Sequence, residues 1–136
     1  MNRAICAVGA AAVGLLLAGC APASPPKPPT GADLTGTWVQ NGVGYERGVL
    51  VTWDNQTVVI EQADGQGFTG YKEYTRDGEP PQKETINGGI GVDGRILMTD
   101  EDGLLDGRLV DGAIVGQYAE TGDDAGVINL ELTRRE

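Results

Sequence analysis

From Leu34 to the C-terminus, apolar and polar residues alternate in short runs, and this pattern limits the fold more than any other feature of the chain. Alternation with a period of two places successive side chains on opposite faces of a β-strand. Turn pairs separate the runs, and Asp-Gly is among them at 64–65, 77–78, 93–94, 102–103 and 111–112. Asp-Gly is favoured in tight hairpins because both central residues of a type I′ turn have positive φ. The sequence therefore predicts an all-β fold built from antiparallel hairpins.

Turns and loops divide the predicted domain into short strands. Further turns are predicted at Asp54-Asn55 and Gly122-Asp123, and the longest irregular connections are 41–47 and 76–83. Pro80-Pro81 must lie in a loop, since proline has no backbone donor for a sheet ladder. The strand-like runs cover residues 36–40, 48–53, 57–62, 67–75, 84–92, 95–99, 104–110, 113–119 and 126–134.

A glycine lies between apolar residues in five places, in the pattern apolar-x-Gly-x-apolar or a near variant. With a period of two, each glycine shares a strand face with its apolar neighbours. A glycine inside a strand is unfavourable unless the backbone bends sharply or another chain approaches closely, and closing a barrel needs such bends. We predict a small antiparallel up-and-down β-barrel of about eight strands; the alternative is a two-sheet β-sandwich with glycines at bulges. The five glycines are Gly36, Gly70, Gly88, Gly107 and Gly116.

The N-terminus has the features of an export signal. Arg3 precedes an apolar run that is shorter than the ~20 residues needed to span a bilayer, and small residues then precede Cys20. The sequence Leu17-Ala18-Gly19-Cys20 resembles the lipobox of bacterial lipoproteins. This resemblance implies that residues 1–19 are a signal peptide, that the Cys20 thiol carries a diacylglycerol, and that the acylated protein sits on the extracytoplasmic side of the cell membrane.

A proline-rich segment follows Cys20. Residues 20–33 contain five of the seven prolines, and they predict a semi-extended tether of ~3.1 Å per residue where it is polyproline II. The remaining residues, 34–136, form one predicted domain. No intramolecular disulfide is expected, because Cys6 leaves with the signal and Cys20 then stands alone.

Composition excludes several functions. The formal net charge is −10, which disfavours nucleic acid as a partner because phosphate backbones require a positive surface. The chain has no histidine, and its one serine, Ser24, lies in the tether, so a serine–histidine triad is excluded. We predict no catalytic residue, no cofactor and a non-enzymatic function.

Acidic residues offer two weaker alternatives. Carboxylates could form an acid/base pair for glycoside hydrolysis, but solvated charges on the outer face of a sheet are the favoured explanation. Calcium takes six to eight oxygen ligands, but acidic hairpin tips also form without a metal, and we predict no metal site. The candidate acid/base carboxylates are Asp54, Glu61, Glu73 and Asp106, and the candidate calcium ligands are Asp100, Glu101, Asp102, Asp106, Asp123 and Asp124.

The start of the domain resembles the calycins, the lipocalin and avidin group. Leu34-Thr-Gly-Thr-Trp38 is similar to the Gly-x-Trp signature of their first strand, and Gly67-Phe-Thr-Gly-Tyr71 to an avidin-type third strand. The resemblance implies a calycin-like barrel whose Trp38 packs across one end. The avidin ligand set does not carry over, because Gln40, Gly44 and Lys72 stand at its positions.

The predicted function is the binding of a small apolar or amphipathic ligand, and the alternative is a structural or protein-interaction module. Small inward glycines and few large side chains leave either a narrow, filled barrel or an unfilled space that holds a small apolar or amphipathic ligand. A cavity above roughly 300 Å³ favours the ligand-binding protein; a packed interior favours a structural or protein-interaction module of the envelope. The candidate ligand-binding residues are Trp38, Trp53, Phe68, Arg108 and Tyr118.

Overall fold

A computed structural model describes residues 27–75 and 78–136. Within them the chain forms one short helix, eight strands and one 3₁₀ turn. Cys20, the signal peptide and the first part of the tether lie outside the described residues. The elements are α1 (Gly31–Leu34), β1 (Gly36–Glu46), β2 (Val49–Asp64), β3 (Gly67–Tyr74), β4 (Gln82–Ile90), β5 (Arg95–Thr99), β6 (Gly103–Val110), β7 (Ala113–Glu120), a 3₁₀ turn (Gly122–Asp124) and β8 (Gly126–Arg134).

The eight strands close into an antiparallel up-and-down barrel. Each strand pairs with its sequence neighbour, and β1 pairs with β8, with Trp38 opposite Arg134 and Glu46 opposite Gly126. The predicted barrel is confirmed, and the two-sheet sandwich is wrong. The architecture is compatible with a calycin-like fold. No helix in residues 27–75 and 78–136 has the length and apolar character needed to cross a membrane.

The structure corrects the prediction at the first hairpin. Residues 41–46 belong to β1 rather than to a loop, and the chain reverses at Arg47-Gly48, where both residues have positive φ. Asp54-Asn55 is not a turn: β2 runs through it, and the β1–β2 register shifts between Gln40 and Gly42 as at a β-bulge. Two predicted strands are therefore one, which reduces nine runs to eight strands.

Glycines permit the close approach of neighbouring chains, as the sequence predicts. A Cβ on Gly70 would lie 1.8 Å from the carbonyl oxygen of Val59 on β2. A Cβ on Gly88 would lie 2.0 Å from the ring of Phe68 on β3, so that the ring occupies the space that a side chain would fill. Inward glycines thus narrow the barrel and make room for large neighbours.

The two ends of the barrel differ. One end, which we call the closed end, is covered by α1, whose Gly31 N–H donates to the Gly65 carbonyl at 2.9 Å. Beneath α1, Leu34 and Trp38 are completely buried. The opposite end, which we call the mouth, is formed by the β1–β2, β3–β4, β5–β6 and β7–β8 connections. Apolar side chains fill the barrel from the closed end upward, including Ile60, Ile86, Ile96, Leu105, Ile114, Ile128 and Leu132.

Candidate functional site

A pocket of about 620 Å³ opens at the mouth. Its wall comes from the mouth halves of β2 and β3 and from the turns that follow β1, β5 and β7. The described lining residues include one tryptophan, one tyrosine, several neutral polar residues and more carboxylates than cations. The barrel is therefore filled in its lower part and concave at its top.

Trp53 forms the aromatic wall of the pocket. It lies on β2 directly opposite Gly42 of β1, and it is partly buried against the apolar core. Its ring centroid is 5.4 Å from that of Tyr118, and the two planes are tilted by 59°. This geometry lies in the range of favourable edge-to-face aromatic pairs, so Tyr118 fixes the orientation of Trp53 at the mouth.

A buried lysine forms the floor. Lys72 is an inward residue of β3 whose side chain is 7% exposed, and it lines the pocket. Its Nζ lies 2.5 Å from Asp100 Oδ2 and 3.2 Å from Glu84 Oε2. Burying a charge is costly unless opposite charges and hydrogen bonds compensate, and here two nearly buried carboxylates do so.

Two tyrosines complete the cluster around this ammonium. Lys72 Nζ lies 5.1 Å from the ring centroid of Tyr74 and 5.2 Å from that of Tyr118, within the range of cation–π attraction. The Tyr118 hydroxyl donates to Asp100 Oδ1 at 2.6 Å, and the Tyr74 hydroxyl donates to Glu84 Oε1. We call Lys72, Glu84, Asp100, Tyr74 and Tyr118 the floor cluster.

The surroundings within the floor cluster shift the pKa values of Asp100 and Tyr118. Burial opposes the charged form of Asp100, but attraction to Lys72 and hydrogen bonds from Lys72, Tyr118 and the Gly103 N–H outweigh it, so the Asp100 pKa is lowered. Burial raises the pKa of Tyr118, and its hydrogen bond to Asp100 raises it further. At neutral pH the cluster therefore holds a carboxylate and a neutral phenol.

One polar atom of the floor is incompletely satisfied. Glu84 Oε2 is buried and accepts no well-directed hydrogen bond within the described part of the chain, although Lys72 Nζ lies 3.2 Å away. The ion pair is the better description of this contact, because the attraction between charges tolerates an angle that a hydrogen bond does not.

Acidic side chains dominate the rim. Arg47 pairs with Glu46 at 3.5 Å and with Asp124 at 3.3 Å. Glu120 is the next inward residue after Tyr118 on β7. Burial raises the pKa of Glu120, and the nearby carboxylates of Glu46 and Asp102 add to the effect. The rim therefore repels a further negative charge.

The structure separates the predicted ligand-binding residues. Trp53 and Tyr118 meet at the mouth. Trp38 and Phe68 are buried in the core and do not line the pocket. Arg108 lies on the outside of β6, where it binds the Asp93 carboxylate at 3.0 Å. Of the five predicted residues only Trp53 lines the pocket. Tyr118 is buried behind Trp53 and belongs to the floor cluster, which sequence analysis missed.

A sequence signal for the floor did exist. Lys72 follows Phe68 and Gly70 on the inward face of β3, and Glu84 precedes Ile86 on that of β4. A charged residue at an inward position of the alternation marks a buried ion that needs a partner. The pattern at Lys72 was visible in the sequence as a break in the glycine motif.

The carboxylates considered for acid/base catalysis or calcium binding do not come together in one site. Asp54 and Glu73 line the mouth, Glu61 is exposed on β2, and Asp106 is bound by Arg95 on the outer surface at 2.5 Å. Across residues 27–75 and 78–136, no group of three or more acidic or cysteine side chains is arranged to hold a metal ion. Asp100, one of the six candidate calcium ligands, instead binds Lys72 and Tyr118.

The chain matches no protein-family model, and no curated protein or solved structure is significantly similar to it.

Proposed function

We propose that this protein is a lipid-anchored protein of the cell envelope whose barrel mouth binds a small amphipathic ligand without catalysing a reaction. The observation that carries the proposal is the pocket of about 620 Å³, with the Trp53 ring on its wall and the charged floor cluster beneath it. Its volume exceeds the ~300 Å³ at the lower end of small-molecule sites.

The lining defines what such a ligand looks like. Trp53 and Val51 give one side of the pocket an apolar surface, while Gln56 and Thr57 offer neutral hydrogen-bonding groups. The described lining holds six carboxylates but only two cations, Arg47 and Lys72. A purely apolar molecule would leave these groups without partners, and an anion would be repelled, so the lining favours a neutral or cationic amphipathic molecule.

Binding is better supported than catalysis. Hydrolysis by two carboxylates requires one of them to be held protonated near neutral pH. The four candidate carboxylates are dispersed, since Asp54 and Glu73 line the mouth while Glu61 and Asp106 lie on the outer surface. Burial raises the pKa of Glu120 at the rim, but the Asp100 carboxylate at the floor has a lowered pKa, and both of its oxygens accept hydrogen bonds. A nucleophilic lysine requires a free amine, whereas Lys72 Nζ is held 2.5 Å from Asp100 Oδ2 and 3.2 Å from Glu84 Oε2.

The path of the chain supports the orientation of an anchored barrel. The Gln66 side chain donates to the Pro29 carbonyl at 3.2 Å, and Pro28 and Pro29 lie near Gly94 in the β4–β5 turn. The tether therefore joins the barrel at the closed end. With Cys20 in the membrane, the mouth would face away from the lipid.

Native mass spectrometry of the full chain, purified in detergent from its own host, tests the proposal. We expect a small molecule to be retained by the native protein and by Trp38→Phe, and to be lost from Trp53→Ala. Trp38→Phe is the matched control because it changes a tryptophan at the closed end. A native protein that carries no such molecule, and whose Trp53 fluorescence is unchanged by extracts of envelope metabolites, would contradict ligand binding.

A second function is favoured by a different observation. Below the mouth the barrel is filled by buried apolar side chains such as Ile60, Ile96 and Leu105, which suits a structural or protein-interaction module of the envelope. The same purification distinguishes the two functions, since a module would retain a protein and no small molecule.

A further inference from the structure

A row of apolar side chains crosses the outside of the barrel near the mouth. Its members lie directly opposite one another on five neighbouring strands, β2, β1, β8, β7 and β6. They point outward, because the residues beside them on the same strands, such as Gly44, Ile128 and Tyr118, are buried. The row consists of Leu50, Tyr45, Val127, Ala119 and Leu104.

A second outward row lies beside it, toward the closed end. Thr52, Val43, Asn129 and Gln117 are likewise in register on β2, β1, β8 and β7. The Gln117 amide donates to the Asn129 side chain at 3.0 Å, which satisfies part of their hydrogen-bonding capacity. All nine residues of the two rows are exposed and none is charged. We call this surface the uncharged face.

Such a face is unusual on a chain with a formal net charge of −10. Elsewhere the outer surface carries charged pairs, including Arg95 with Asp106 and Arg108 with Asp93. Two copies of an acidic protein repel each other wherever carboxylates are brought together. The uncharged face itself brings no carboxylates together, and it offers apolar area for burial, with Tyr45 62% and Leu50 59% exposed.

We propose that the uncharged face is the contact surface between two copies of this chain. A two-fold axis makes such a contact self-complementary, because the same patch meets itself. Tyr45 lies centrally in the row, between Leu50 and Val127, and tyrosine is enriched among residues that dominate interface energies. Two sheets in such a contact pack about 10 Å apart.

The orientation of the pair follows from the closed end, and this step, like the effect of membrane attachment on local concentration given below, rests on the proposed anchor. With the two-fold axis parallel to the barrel axes, both closed ends lie on the same side. Both tethers then reach one membrane, and both mouths stay open on the other side. An axis perpendicular to the barrels would direct one tether away from the membrane.

The size of the face sets the strength of the contact. Strands ~4.8 Å apart and residues ~3.3 Å apart along a strand give a patch roughly 20 Å wide and two rows deep, of about 300 Å² per copy. A stable interface buries ~800 Å² per partner. We therefore expect a weak, concentration-dependent dimer, which attachment to a membrane would favour by raising the local concentration.

Photo-crosslinking of the full chain in its own membranes tests the contact. Two forms of the chain with different epitope tags are co-expressed, each with benzoylphenylalanine in place of Tyr45. We expect a product of twice the monomer mass that carries both tags. The same amino acid in place of Val92, which is 97% exposed and lies outside the face, is the control and should give no such product.

A second test introduces a charged residue into the uncharged face. In a two-fold contact each substitution occurs twice, so Val127→Glu brings two negative charges together. We expect this repulsion to lower the yield of the cross-linked product from benzoylphenylalanine at position 45 about tenfold. Val92→Glu, outside the face, should leave that yield unchanged. Because Val127 is exposed, Val127→Glu should keep the native circular dichroism spectrum. A product with one tag only, a product containing another protein or lipid, no product at all, or a yield unaffected by Val127→Glu would each overturn the proposal.

Discussion

The guanidinium of Arg134, in the last strand, lies over the ring of Trp38 in the first strand, with 4.4 Å between its central carbon and the ring centroid. It also donates to the carbonyl oxygens of Thr35, at 2.8 Å, and Asp33. Trp38 Nε1 in turn donates to the Leu34 carbonyl at 2.9 Å. These contacts tie β1, β8 and α1 together at the closed end, so the integrity of that end depends on one aromatic ring.

Trp38→Ala should unfold the barrel readily. Truncating a buried aromatic side chain typically costs ~3–5 kcal/mol, a large fraction of the ~5–15 kcal/mol that stabilises a whole domain. Trp53→Ala should cost less, because Trp53 is only partly buried at the mouth. Urea unfolding of the two variants measures both losses. A loss below ~1 kcal/mol for Trp38→Ala, the size of an ordinary surface change, would contradict the role of the closed end.

Lys72→Met should destabilise the protein by ~3–5 kcal/mol, since removing one partner of a buried ion pair leaves an uncompensated charge. Here two carboxylates, Glu84 and Asp100, would lose their cation. Adding Glu84→Gln and Asp100→Asn to Lys72→Met should recover much of the loss, because no buried charge then remains. The free energies of unfolding of the single and triple variants decide this. A triple variant less stable than Lys72→Met would show that the cluster acts through hydrogen bonds rather than charge.

Glu120→Gln should stabilise the protein slightly at neutral pH, by a few tenths of a kcal/mol as for partly exposed charges. The pKa of Glu120 is raised above 4.5 in the folded state, so its charged form opposes folding. That cost is present above the folded pKa and is relieved as the pH falls toward the unfolded value. Thermal melting of the native protein and the variant should therefore differ at pH 7 and converge below about pH 4.5. If Glu120→Gln were still more stable than the native protein below about pH 4.5, its added stability would not come from removing the charge of Glu120.

Cys20→Ala should release the protein from the membrane fraction. The expectation rests on the lipobox resemblance, and stable attachment needs at least two acyl chains because one anchors only marginally. Fractionation with immunoblotting gives the location, and intact mass gives the modification. Ala21→Ser, next to the same site, is the control that should stay membrane-bound. If Cys20→Ala remained in the membrane fraction, and its mass differed from that of the native protein only by the substituted side chain, the anchor would be excluded.

Local sequence determined the fold class. Period-two alternation fixes which side of each strand faces inward, and the turn pairs fix where most hairpins reverse; Asp111 and Gly112, for example, both have positive φ. The inward glycines indicated closure, as Gly70 against Val59 shows. The turn predicted at Asp54-Asn55 was wrong, because a positive φ such as that of Asn55 occurs both in turns and in β-bulges. Only the pairing of β2 with β1 and β3 distinguishes the two.

The mouth was decided by tertiary structure. The sequence shows that Lys72 faces inward, but not that Glu84 on the next strand and Asp100 in a turn 28 residues away reach the same ammonium. That meeting depends on the stagger between strands when the barrel closes, a property of the whole ring. The uncharged face has the same origin, since its nine residues come from five strands. The sequence therefore determines the inward or outward direction of each side chain, whereas closure and register determine which side chains meet.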